Sequence, residues 1–120
     1  MSKSIRLLLR GVQGLYSVNH NWPGVIKSRM AIVHITAGEA HNTGSLPAEG
    51  KAPNGTSIMQ DWEYKLDNRT MIWVSNISPH DDFGGGGGVE FFVHVDSPWP
   101  RDVGVTITVE DEALSQIDNY

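Results

Sequence analysis

Three kinds of residue in this chain can do chemistry by type: adjacent carboxylates, histidines and loop tryptophans. His80-Asp81-Asp82 stands directly before the glycine run Gly84–Gly88. Two neighbouring carboxylates beside backbone carbonyls that glycine leaves unshielded are oxygen donors of the sort calcium takes, which makes Asp81 and Asp82 candidate metal ligands. The same pair also reads as a solvated acidic loop, since the Asp-x-Asp-x-Asp-Gly spacing of a helix-loop-helix calcium site is missing. The glycine run itself is no phosphate loop. Gly88 is followed by Val89-Glu90 instead of Lys-Ser/Thr, and a strand pattern follows where a helix N-terminus would be needed. Its ordinary reading is a flexible tip, or a stretch where another backbone comes close because no side chains intervene.

The five histidines, His20, His34, His41, His80 and His94, fall at no metal-motif spacing. His34 and His94 sit inside strand patterns, where a histidine is usually packed or paired across the sheet. No Gly-x-Ser-x-Gly elbow is present, so serine hydrolysis has no sequence support. Glu39, Glu49, Asp61, Glu63, Asp81 and Asp82 supply carboxylates for glycoside cleavage, but only their separation in space would tell. The expectation is a protein that binds and is not an enzyme. Of the four tryptophans, Trp62 and Trp73 fall in strand patterns and read as packing residues. Trp22, in Asn19-His20-Asn21-Trp22-Pro23, and Trp99, in Ser97-Pro98-Trp99-Pro100, fall in polar or proline-rich stretches. Aromatics so placed suit either sugar stacking or a subunit contact.

These groups need a scaffold, and the chain's apolar periodicity describes one. Ile5, Leu7 and Leu9 alternate with Arg6 and Arg10 over Lys3–Leu9, and Met30–Ala37 is rich in β-branched residues. Ile58–Leu66 and Thr70–Val74 flank the turn Asp67-Asn68-Arg69 and are expected to form a hairpin. Val89–Val95 puts Val89, Phe91, Val93 and Val95 on one face against Glu90, Phe92 and His94, and Val103–Val109 alternates. Residues 38–56 are rich in glycine, proline and asparagine and read as one long connection carrying His41 and Asn42; connections of such length in small domains are often binding loops. Residues 75–88 read as a second loop, carrying His80. Short strands, frequent turns and no helical pattern predict an all-β fold, an antiparallel β-sandwich or jelly roll. It would form a single domain over residues 1–110, with an acidic C-terminal tail at 111–120.

Composition narrows the partners. With 9 Lys and Arg against 14 Asp and Glu the net charge is −5, and the cations are scattered, so nucleic acid is not expected. No stretch approaches the roughly 20 apolar residues of a membrane-spanning helix, and Leu7–Leu9 is far too short for an export signal. A cytoplasmic location is the default expectation, with release by a non-classical route as the other. Cysteine is absent, which removes thiol chemistry.

Two stretches resemble the small calcium-dependent galactose-binding bacterial lectins. Met30-Ala31-Ile32-Val33-His34-Ile35-Thr36-Ala37-Gly38 is similar to that family's early strand running into a ligand loop. Trp73-Val74-Ser75-Asn76, a glycine-rich loop and Glu90-Phe91-Phe92-Val93 are similar to its strand, metal loop and closing strand. The resemblance implies a jelly-roll sandwich, a homo-oligomer, calcium as cofactor and carbohydrate as ligand, without catalysis. The family places paired asparagines where this chain has glycines of the Gly84–Gly88 run, so Asn76, Asp81 and Asp82 would have to serve as metal ligands. Sugar would be held by His41, Asn42, Trp22, Trp99 and His80, in loops at one end of the sandwich. The competing expectation is a structural or assembly subunit of a larger particle, its loops and tryptophans buried between copies and no small ligand bound.

Overall fold

The structure, a computed structural model, describes residues 2–42, 62–81 and 86–110, with Asn42 described by its backbone alone. Every regular element among the described residues is a strand: β1 (Lys3–Val12), β2 (Gly14–Asn21), β3 (Val33–Asn42), β4 (Trp62–Tyr64), β5 (Met71–His80), β6 (Gly88–Asp96) and β7 (Arg101–Val109). They form two antiparallel sheets, ordered β1-β7-β3-β4 and β2-β6-β5. The two sheets pack face to face as a β-sandwich, as the alternating patterns predict.

The strictest alternators take the central positions, because a strand flanked on both sides and covered on one face tolerates only one apolar side. Val89, Phe91, Val93 and Val95 of β6 meet Val103, Val105, Ile107 and Val109 of β7 in one core cluster, closed by Val12, Ile26 and Ala31. Ile5, Leu7 and Leu9 of β1 and Ile72 and Val74 of β5 pack onto this cluster from its sides.

The chain changes sheets between β1 and β2. Leu9 pairs with Val103 and Val12 with Arg101, so β1 carries one residue more than β7 across this interval, a bulge that bends the strand. Gly11 (φ 66°) and Gly14 (φ 76°) then adopt the left-handed backbone that the corner requires.

Three sequence expectations change. Residues 14–21 form β2, where the sequence offered only the polar stretch around Asn19 and Asn21 and no strand was expected. As an edge strand, β2 keeps those polar residues on its solvent side while Val18 packs inward. Secondly, β3 runs on to Asn42 and β5 to His80, so both supposed loops begin later than expected. The remainder of the first, residues 43–61, and residues 82–85 of the second lie outside the described residues, as does the tail 111–120.

Thirdly, the hairpin is absent. β4 pairs with β3 in one sheet, and β5 pairs with β6 in the other. The turn still forms, with the Arg69 amide donating to Asp67 Oδ1 at 2.9 Å and the Thr70 amide to the Asp67 carbonyl at 3.1 Å. It carries the chain across the sandwich because Asp67 is drawn inward to Arg101, whose Nη2 lies 3.2 Å from Asp67 Oδ2.

Candidate functional site

The outer face of the three-stranded sheet concentrates the exposed aromatic and apolar side chains. Ile72 and Val74 point into the core, so Met71 and Trp73 between them point out. Val93 and Val95 likewise turn Phe92 and His94 outward. Trp73 and His94 are register partners, and their rings stack with centroids 4.7 Å apart and planes 4° from parallel. Ser75 Oγ lies 2.7 Å from His94 Nε2, and Phe92 meets the imidazole edge-on at 6.5 Å. His94 is thus held on three sides.

Trp73 remains 47% exposed although His94 covers one face of its indole, which leaves the other face to solvent. Leu15 of β2, register partner of His94 on the far side, is 62% exposed. An open groove of about 400 Å³ runs between them, bordered by Gln13, Asp96 and Ser97. A second depression of about 280 Å³ continues along the face past Ser17, Asn76, Ser78, Glu90 and Phe92. Asn76 forms its wall because β5 bulges there: Ser75 pairs with Phe92 and Ser78 with Glu90, leaving one residue extra, and Asn76 takes φ 55°. Asn76 is therefore a sheet-face residue and not part of a metal loop. The charged side chains that the described strands turn outward on this sheet are Glu90 and Asp96, both negative.

The residues expected to bind sugar at one end of the sandwich divide between its two ends. Trp22 and His80 lie at the end where β6 begins. The Trp22 amide donates to the Gly87 carbonyl at 2.8 Å, and its side chain packs against the core; His20 meets the indole edge-on at 5.9 Å. Burial pushes the His20 imidazole below its ordinary pKa, and its Nε2 has no hydrogen-bond partner. His80 Nε2 lies 3.0 Å from Asn19 Oδ1. Trp99, His41 and Asn42 lie at the opposite end, eight residues further along β6, or roughly 27 Å at about 3.4 Å per residue. One site on one molecule therefore cannot use Trp22 together with Trp99.

Trp99 is also no open platform. The guanidinium carbons of Arg69 and Arg101 stand 4.8 and 4.5 Å from its ring centroid. Beneath it lies a buried ion network that the sequence reading missed. Arg101 Nη1 is 3.1 Å from Glu39 Oε1, its Nη2 reaches Asp67, and its Nε donates to Ser97 Oγ at 3.0 Å. Glu39 is 7% exposed and its Oε2 has no partner. Asp67 is held below the usual carboxylate range, first by the Arg69 amide, then by the Arg69 side chain and the charge of Arg101. On the same side of β3, His41 Nε2 lies 3.0 Å from Glu63 Oε1.

Of the candidate metal ligands, the two described, Asn76 and Asp81, do not converge. Asp81 Oδ1 accepts the Arg29 amide at 2.8 Å and its Oδ2 contacts Arg29 Nη1 at 2.9 Å, which holds this carboxyl too below its ordinary pKa. Asn76 lies five residues back along β5, roughly 16 Å away at strand spacing. Asp82 lies outside the described residues. Among the described residues no group of three or more histidine and carboxylate side chains is arranged to hold a metal ion.

Within the described part of the glycine run, Gly87 and Gly88 lie where another backbone comes close. A Cβ on Gly87 would land on the Ile26 carbonyl oxygen, and one on Gly88 would stand 2.6 Å from the His20 carbonyl oxygen. These two glycines let the start of β6 seat against the backbone of 20–27.

Among the described residues no helix is long and apolar enough to cross a membrane. No protein-family model, curated protein or solved structure matches this chain.

Proposed function

We propose that this protein is a non-catalytic binding module whose ligand is a neutral carbohydrate, held on the outer face of the three-stranded sheet. The observation that carries this reading is Trp73: an indole fixed by parallel stacking on His94, still half-exposed, and bordered by polar side chains on an open groove. A sugar offers an apolar C–H face to such a ring and hydroxyls to the groups around it. Asp96 accepts hydroxyl protons, while Gln13, its amide nitrogen donating to the Ser97 carbonyl at 3.0 Å, keeps its side-chain oxygen as an acceptor. The carboxylates of Glu90 and Asp96 disfavour a phosphorylated or carboxylated sugar on this face. An open site of this kind binds weakly, and several copies in one oligomer would raise its avidity.

A second reading keeps the face and changes the occupant. Leu15 and Met71 are each 62% exposed and Ile77 39% exposed on the same sheet, which favours burial against another copy of the chain. Two measurements separate the readings. Titration with neutral mono- and disaccharides, followed by tryptophan fluorescence, should give saturable quenching that Trp73→Ala weakens by roughly 30-fold, about 2 kcal/mol. Sedimentation at micromolar concentration should show an oligomer that Leu15→Ser with Met71→Ser dissociates if the face is an interface. Absence of saturable quenching across the panel would discard the carbohydrate reading, and a dimer broken by the Leu15 and Met71 changes would establish the second.

A further inference from the structure

The opposite side of the sandwich, the outer face of the four-stranded sheet, holds a groove of another character. It has a volume of about 380 Å³ and lies between Arg6 of β1 and Tyr64 of β4, over Thr36, Gly38 and Thr106. Two glycines make it. A Cβ on Gly38 would stand 3.1 Å from Tyr64 Cδ1, and one on Gly104 would stand 2.9 Å from Tyr64 Cε1. Without them the Tyr64 ring lies across β3 onto β7 and brings its hydroxyl to 3.4 Å from Thr106 Oγ1. Glycine inside a strand costs stability, so its presence in the centre of two paired strands marks a position where something must lie close.

Arg6 faces this ring with its guanidinium carbon 5.5 Å from the centroid, and its Nε donates to Thr106 Oγ1 at 3.2 Å. The protein has five arginines, and Arg10, Arg29, Arg69 and Arg101 each contact a carboxylate. Among the described residues Arg6 contacts none, and its two terminal amino groups have no protein acceptor. In a chain of net charge −5 this cation meets no carboxylate among the described residues and lies beside the Thr36, Tyr64 and Thr106 hydroxyls. A guanidinium oriented through Nε presents two parallel N–H donors, which match a carboxylate, sulfate or phosphate.

We infer that this groove is an oxyanion site: it binds the carboxylate, sulfate or phosphate group of a small ligand through the Arg6 amino groups, with the Thr36 and Tyr64 hydroxyls donating beside them. The site is remote from Trp73 and does not rest on the carbohydrate reading of the other face.

The test is an NMR titration that observes backbone amides and arginine Nε–H groups at constant ionic strength held with chloride. The probes are sodium glucuronate, sodium sulfate and, as the neutral control, glucose. Saturable shifts at Arg6, Thr36 and Thr106 are expected with at least one anion and not with glucose. Glucuronate alone would identify a carboxylated ligand, and sulfate alone a sulfate or phosphate ester. Arg6→Gln should raise Kd at least tenfold, Arg6→Lys should fall between, and Trp73→Ala should leave Kd unchanged. A thermal melt of each variant confirms that it is folded. Shifts that do not saturate, that glucose reproduces, or that persist unchanged in folded Arg6→Gln overturn the assignment.

Discussion

Replacing Arg101 by methionine tests the buried network most directly, because methionine keeps much of the volume and deletes the cation. Arg101 bridges Glu39 and Asp67, which have different reserves. Asp67 retains the Arg69 amide and side chain. Among the described residues Glu39 keeps no other partner: its Oε2 already lacks a donor and its Oε1 would lose the only charge it faces. Removing one member of a buried ion pair costs about 3–5 kcal/mol, mostly the penalty of leaving the other charge buried. With a urea m-value of about 1.5 kcal/mol per molar for a domain of this size, the unfolding midpoint should fall by roughly 2–3 M. Urea unfolding followed by tryptophan fluorescence and by far-ultraviolet circular dichroism reads this, provided the two transitions coincide. Glu39→Gln removes the charge that Arg101→Met strands, so the double variant should regain at least about 2 kcal/mol over Arg101→Met alone. If Arg101→Met costs under about 1 kcal/mol, or costs the same with and without Glu39→Gln, the network does not hold this end of the sandwich as described.

Gly87→Ala should destabilise by at least about 2 kcal/mol, because the new methyl meets the Ile26 carbonyl and not a side chain that can turn away; unfolding midpoints of wild type and Gly87→Ala make the comparison, and a loss under about 1 kcal/mol would refute the close approach. His20 is half-buried with a lowered pKa, so the unfolded chain takes up its proton first, and stability should decline as pH falls below about 6.5. Melts of wild type and His20→Phe across pH 7.5 to 5 check this, and equal slopes would refute it. Asp81 has a depressed pKa from the Arg29 amide and side chain, so its contribution is complete above about pH 4 and lost as pH drops through the lowered value. Asp81→Asn should flatten the acid limb of the stability curve, read by urea unfolding between pH 5 and 2.5. Since Arg29 occupies both Asp81 oxygens, millimolar calcium should move the melting midpoint by under about one degree; a shift of several degrees would show that Asp81 exchanges Arg29 for the ion.

How far the sequence could be read depended on whether one face of a strand was polar. β1, β6 and β7 are plain because Arg6, Glu90 and Thr106 mark the wet side against runs of valine, leucine and isoleucine. β5 is opaque for the opposite reason: Met71 and Trp73 are as apolar as Ile72 and Val74, so nothing announced that Trp73 faces out. The sheet-face site was therefore overlooked, although its pairing of Trp73 with His94 follows once the register is known. The turn Asp67-Asn68-Arg69 was found in place, but a turn does not say which strand its arms will join; Arg101, distant in sequence, decided that. Trp22, His80, His41 and Trp99 were grouped by residue type, and β6 separates the first two from the others by its own length.

The order β1-β7-β3-β4 has a consequence for how the protein comes to exist. No two neighbours in that sheet are joined by a short connection, and β7, which lies between β1 and β3, is the last of the described strands in chain order. On a ribosome, β1 and β3 emerge with their hydrogen-bonding edges bare and stay so until Arg101–Val109 has left the exit tunnel. Only then does Val109 meet Lys3 on one side and Val33 on the other. The three-stranded sheet shows the same habit in part, since β2 waits for β6. Folding of this kind is a late event dominated by distant pairings, on the millisecond-to-second scale, and the nascent chain passes through an interval in which its apolar strands are open to one another's copies. Loss of β7 would thus undo both pairings at once, leaving β1 and β3 without the partner they share.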